Sequence, residues 1–125
     1  MVEAALVLIV DDVQENRELY VMCFSRAGLR VEEAHDGAEA LAKIAKLKPD
    51  LVVMDLSMPN MDGWEATRVI KSNPLTKDVI VIVVTGHARP QDFRRAKGAG
   101  ADEIYTKPCQ PAELVSRAQA LLANR

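Results

Sequence analysis

A five-stranded parallel sheet, doubly wound with five helices in the strand order 2-1-3-4-5, is the α/β fold that this 125-residue sequence predicts. The first ground is a set of five short apolar runs, most of them without polar alternation, as expected of strands buried on both faces. The second is that segments with helical apolar spacing separate those runs, so strand and helix alternate along the whole chain. Capping residues at the junctions are the third. Alternation of this kind favours a parallel sheet joined by right-handed crossovers, with helices on both faces.

Taken in order, Leu6 to Val10 form the first strand, and Leu19, Tyr20, Cys23, Phe24 and Ala27 place an apolar stripe on the helix that follows. Gly28 is placed to end that helix. Leu29 to Ala34 form the second strand. Asp36 and Glu39 have the spacing of an N-cap and third helical position, which opens the second helix. Leu51 to Met54 form the third strand, and Asp62 with Glu65 repeats the capping spacing before the third helix. Val79 to Val84 form the fourth strand; Pro90 suits the first turn of the next helix and Gly98 its end. Glu103 to Tyr105 form the fifth strand. Pro111 opens the fifth helix, whose stripe is Leu114, Val115, Ala118, Leu121 and Leu122.

Composition narrows the function classes. With 49% hydrophobic residues, residues 1–125 suffice for one domain with a single core and no disulfides. The 16 basic and 18 acidic residues leave a net charge of -2, spread without a basic block, which argues against direct nucleic-acid binding. Cys23 and Cys109 have no neighbouring Cys or His at metal-ligand spacing and read as reduced structural thiols. No apolar stretch approaches the about 20 residues needed to span a bilayer, and Met1-Val2-Glu3 lacks the basic start of a signal peptide. The expectation is a soluble, cytoplasmic protein without a membrane partner.

The chemistry gathers at strand ends. Doubly wound sheets bind ligands outside the carboxyl ends of their strands, where the winding reverses between strands one and three. Asp11 and Asp12 follow the first strand, Asp55 follows the third, Thr85 follows the fourth and Lys107 the fifth. Three converging carboxylates repel one another unless cations answer them. Hard oxygen donors favour Mg²⁺ or Ca²⁺, and a sparse acidic set that leaves room for water and phosphate oxygens suits Mg²⁺ better. Aspartate is an established acceptor of phosphoryl groups, so Asp55 is the candidate nucleophile, with Lys107 and Thr85 as donors to the phosphoryl oxygens. Taken singly, each has a plainer explanation: Asp11 and Asp12 could cap a helix, Thr85 could end a strand, and Lys107 could be a solvated charge. Their joint placement on neighbouring strand ends is what argues for chemistry.

The motifs Val10-Asp11-Asp12, Met54 through Gly63 (MDLSMPNMDG), Val84-Thr85-Gly86-His87, Gly98 through Asp102 (GAGAD) and Thr106-Lys107-Pro108 carry a resemblance. Over essentially its whole length the chain resembles the receiver domain of bacterial two-component response regulators, the single-domain chemotaxis type among them. The fold this implies is flavodoxin-like. The resemblance also implies that Asp55 takes a phosphoryl group from a histidine kinase or phosphotransferase. Mg²⁺ would be held by the Asp12 and Asp55 side chains and the Ser57 carbonyl, with Asp11 acting partly through water. In similar proteins the threonine matching Thr85 turns toward the phosphate and the aromatic matching Tyr105 swings inward. That movement remodels the face of the fourth helix, fifth strand and fifth helix for a downstream protein target. Ser57 and His87 occupy variable positions that flank the attacking water in similar proteins, and Val13 is apolar where many relatives carry a polar residue.

Other classes fit less well. An aspartyl-phosphate phosphatase would carry a second Asp two residues after its nucleophile, where Ser57 stands. A flavin mononucleotide carrier would offer Ser, Thr and Gly in its first loop, not two carboxylates. A docking module independent of phosphorylation would not need the acidic set. Tyr105 on residue type alone suits a half-buried packing role, and Trp64, Met54, Met58 and Met61 read as packing residues. The expectation is a signalling switch that is phosphorylated and dephosphorylated on itself, not a turnover enzyme.

Overall fold

The computed structural model describes residues 4–56, 63–86, 90–107 and 110–125. Its elements alternate without exception: β1 (Leu6–Val10), α1 (Gln14–Arg26), β2 (Arg30–Ala34), α2 (Gly37–Leu47), β3 (Leu51–Asp55), α3 (Gly63–Ser72), β4 (Ile80–Thr85), α4 (Pro90–Ala99), β5 (Glu103–Thr106) and α5 (Pro111–Ala123). The five strands form one parallel sheet in the order β2-β1-β3-β4-β5, as the sequence predicts.

Side chains alternate across the sheet, so each central strand feeds two cores. Leu8, Val10, Val52, Met54, Val81 and Val83 face one way and pack with residues of α2, α3 and α4 such as Ala40, Ile44, Ile70 and Ala96. Val7, Ile9, Leu51, Val53, Ile82 and Val84 face the other and pack with Tyr20 and Phe24 of α1 and Leu114, Val115 and Ala118 of α5. Continuous apolar runs are therefore required at β1, β3 and β4. The edge strand β2, with sequence RVEEA, alternates instead and exposes Arg30 and Glu32.

The caps behave mostly as their residue types dictate. Asp36 accepts a hydrogen bond from the Glu39 backbone N–H at 2.8 Å, and the Glu39 carboxylate accepts from the His35 N–H at 3.0 Å, closing the start of α2. Pro90 and Pro111 open α4 and α5 as expected. Asp62 lies outside the described residues. Two expectations need correction. Gly98 does not end α4: Gly100 does, at φ +94°, with its N–H on Lys97 O and the Ala101 N–H on Ala96 O. Only the glycine at the left-handed position closes the pair of hydrogen bonds, and Gly28 at φ +89° does the same for α1. Leu19, 45% exposed, and Ala27, exposed and just past the end of α1, leave the predicted stripe, because α1 is buried along Tyr20 and Phe24, one turn apart. Among the described residues no helix is long and apolar enough to cross a membrane.

Candidate functional site

All the strands that carry the predicted site residues end on one edge of the sheet. At the end of β1 the Asp11 N–H continues the ladder by donating to Ala34 O at 3.1 Å, and the Asp11 carboxylate accepts the Val13 N–H at 2.9 Å. These two bonds hold the turn so that Asp11 is only 2% exposed while Asp12 beside it faces solvent. Asp55 ends β3 and is 4% exposed. Its position is set by the register opposite Val84 and by the Leu56 N–H, which donates to Val84 O at 3.2 Å.

Carboxylate oxygens of Asp11, Asp12 and Asp55 lie within 4.8 Å of one another. From the other side Lys107 brings its Nζ to 3.3 Å from the Asp55 carboxylate, and the Lys107 N–H donates to Thr85 O at 2.7 Å. Thr85, on the strand between them, is 2% exposed. The structure thus gathers Asp11, Asp12, Asp55, Thr85 and Lys107 at four adjacent strand ends. Ser57 and His87 lie outside the described residues, as do Pro108 and Cys109.

Burial raises the Asp11 pKa above its ordinary value; the Val13 N–H and the Lys107 charge oppose this, and the nearby Asp55 and Asp12 carboxylates add to it. A carboxylate held at such a cost, with two others close by, fits a hard cation: the oxygen donors are of the type Mg²⁺ takes, and its charge would relieve the repulsion.

Tyr105 stands one strand away, opposite Val84 in register and half-buried against the α1 and α5 core. It lines a surface groove with Ala112, Ser116 and Arg117 of α5, while Phe93 and Lys97 of α4 line a second groove on the opposite side of β5 with Ile104. Trp64 is buried in the core formed with α4, with the Arg95 guanidinium 5.1 Å from its ring centroid, which confirms the packing role expected of it.

Sequence reasoning left Gly63 without a physical role. A Cβ there would sit 2.4 Å from the Asp55 carbonyl oxygen and 2.9 Å from the Leu56 Cα. The start of α3 therefore rests directly on the backbone of the candidate nucleophile, an approach only glycine permits. The signal available in the sequence was a glycine at the start of a helix, where it has no propensity advantage.

Comparison with known proteins agrees with this fold. The response regulator receiver domain family matches residues 7–119. The chain is 42% identical over 118 residues to the response regulator MprA of Mycobacterium ulcerans, covering 93% of this chain and 49% of that protein. It is 36% identical over 116 residues to the phosphate regulon transcriptional regulatory protein PhoB of Pseudomonas aeruginosa, covering 93% and 51%. The chain thus spans about half the length of these curated relatives. Among solved structures, the Vibrio cholerae chemotaxis protein CheY4 superposes with a TM-score of 0.89 at 32% identity, over 94% of this chain and 98% of that one.

Proposed function

Because this chain belongs to the response regulator receiver domain family, whose members are phosphorylation-based signalling switches, we propose that residues 1–125 act as one such switch with Asp55 as its phosphoacceptor. The observation that carries the reading is the pairing of a nearly buried Asp55 with Lys107 on one side and the Asp11 and Asp12 carboxylates on the other.

The donor is a phosphohistidine of a histidine kinase or phosphotransferase, or a small acyl phosphate. An Asp55 carboxylate oxygen attacks phosphorus; the P–O bond forms as the donor's P–N or P–O bond breaks, and the leaving group keeps the electron pair. Lys107 pairs with the transferred oxygens as a point charge, and Thr85 donates its hydroxyl to one of them. Asp11, Asp12 and Asp55, with the Ser57 carbonyl, would hold Mg²⁺, Asp11 partly through water. Bound there, Mg²⁺ would neutralise the charge that otherwise keeps a phosphoryl donor from a carboxylate. Attack of water on phosphorus returns the Asp55 carboxylate and releases inorganic phosphate, so the protein resets itself and turns over no external metabolite.

The added phosphoryl group brings roughly one to two negative charges and three acceptor oxygens. The conformer that better places Thr85 and Lys107 around it gains population. Shifting the balance from 1:99 to 99:1 requires about 5.5 kcal/mol of differential stabilisation. Tyr105 follows Thr85, and the face of α4, β5 and α5 with its two grooves meets a downstream protein target; this segment itself contacts neither nucleic acid nor membrane and works in the cytoplasm.

The test is incubation of the protein with Mg²⁺ and a small acyl phosphate, followed by intact mass. The expected result is a gain of one phosphoryl group in the wild-type protein and none in Asp55→Asn or without Mg²⁺. An equal gain in Asp55→Asn would overturn the assignment.

A further inference from the structure

Resting on the cation site proposed above, we infer that Arg17 is a positioning residue for its two β1-side carboxylates. Arg17 lies one turn into α1 and folds back toward the end of β1. One guanidinium nitrogen donates to the Asp11 carbonyl oxygen at 2.8 Å, and Nε donates to the Glu33 carboxylate on β2 at 2.9 Å. Glu33 is in turn held from α2, since Lys43 Nζ donates to its backbone carbonyl. The guanidinium is thus a half-buried fork fixed at both ends.

The target of that fork is what matters. The Asp11 carbonyl and the Asp12 N–H belong to one planar peptide unit, so pinning the carbonyl fixes the rotation about both flanking bonds. Those bonds set the direction in which the Asp11 and Asp12 side chains leave the backbone. The two carboxylates have separate local constraints only in part: Asp11 has the Val13 N–H, and Arg17 reaches the plane they share. Mg²⁺ demands near-ideal octahedral geometry, whereas Ca²⁺ accepts a flexible shell. Arg17 therefore favours Mg²⁺ through geometry while its charge, taken alone, opposes any cation.

That opposition of signs makes the inference testable. Wild type, Arg17→Ala, Arg17→Lys and the control Asp12→Ala are titrated with Mg²⁺ and with Ca²⁺ by calorimetry, with thermal midpoints confirming folded protein. Arg17→Ala is expected to lose about tenfold or more in Mg²⁺ affinity, the scale seen when groups supporting metal ligands are removed, although it removes a positive charge. Its Ca²⁺ affinity is expected to fall less. Arg17→Lys keeps the charge without the fork and is expected to fall on the same side by a smaller factor; if Arg17→Ala does not fold, this variant decides. Wild-type or tighter Mg²⁺ binding by the folded Arg17 variants would overturn the inference alone, as would equal losses for both ions. No Mg²⁺ binding by the wild-type protein would bring down the cation site itself, and this inference with it.

Discussion

Strand β3 carries an aspartate at each end, and the two ends of the sheet use the residue in opposite ways. Asp50, just before β3, accepts the Leu6 N–H at 2.7 Å and pairs with Arg125 at 2.7 Å, while its own backbone N–H donates to Leu6 O at 2.8 Å. Burial pushes its pKa up, but the Leu6 N–H, the Arg125 hydrogen bond and the charges of Arg125 and Arg30 outweigh it and hold the carboxyl below its ordinary 3.8. Across the sheet, Asp11 is raised by burial and by the Asp55 and Asp12 carboxylates. One end is closed by its own charges; the other keeps its carboxylates crowded, as the proposed cation and phosphoryl site requires. Stability and the proposed function thus occupy opposite edges of one sheet, five residues apart along β3.

The largest effect belongs to the backbone of the open end. Gly63→Ala places a methyl group 2.4 Å from the Asp55 carbonyl oxygen, where the obstacle is backbone and cannot rotate away. Overpacking of this kind is expected to cost about 3 kcal/mol by chemical denaturation. Phosphoryl uptake should fall as well, because relieving the contact displaces α3, the Asp55 backbone, or both. An Ala variant as stable as wild type would show that the open end has slack, and would break the contrast with the tightly bonded end.

How much of this contrast the sequence disclosed depends on which physical signal each residue leaves. Apolar runs at β1, β3 and β4 follow from burial on both faces, and the strand-end positions of Asp11, Asp55 and Thr85 followed from them, while Lys107 was placed by the shorter, half-buried β5. The end of α2 left no such mark: it closes at Lys48 in the left-handed region, φ 50°, without a glycine. Gly98 and Gly100 were equivalent in composition, and only the dihedral separates them. Asp50 was invisible for a different reason. Its partners Leu6 and Arg125 lie 44 and 75 residues away, and no local pattern encodes a bond closed by the fold. Arg17 was equally mute, since a charged residue in the first turns of a helix reads as a solvated face until its carbonyl partner is known.

Next in size, Asp50→Ala removes the acceptor of the Leu6 N–H and the partner of Arg125 together. Loss of a hydrogen bond to a charged group is expected to cost about 2 kcal/mol at neutral pH. Because the folded pKa is depressed, the contribution of Asp50 is present above the unfolded value of 3.8 and is lost as pH falls through the folded value. Denaturation curves of wild type and variant should therefore converge in acid. A deficit that persists unchanged below the wild-type transition would mean that the carboxylate charge is not what closes this end.

The smallest effect has the opposite sign and probes the open end directly. Asp11→Asn keeps an oxygen to accept the Val13 N–H but removes one of three crowded charges. The raised pKa means that ionised Asp11 carries a penalty in the folded state at neutral pH, one that is absent below 3.8, where the carboxyl is neutral in both states. In metal-free buffer the Asn variant is expected to be more stable than wild type by about 1 kcal/mol, the usual scale when a functional residue is relieved of its strain. Added Mg²⁺ should reverse the order, because an ion that binds the folded state stabilises wild type in proportion to its affinity and the variant binds it less well. Thermal midpoints with and without Mg²⁺ make the comparison. A variant less stable than wild type in both buffers would show that Asp11 serves the fold as Asp50 does, and that the open end begins only at Asp12.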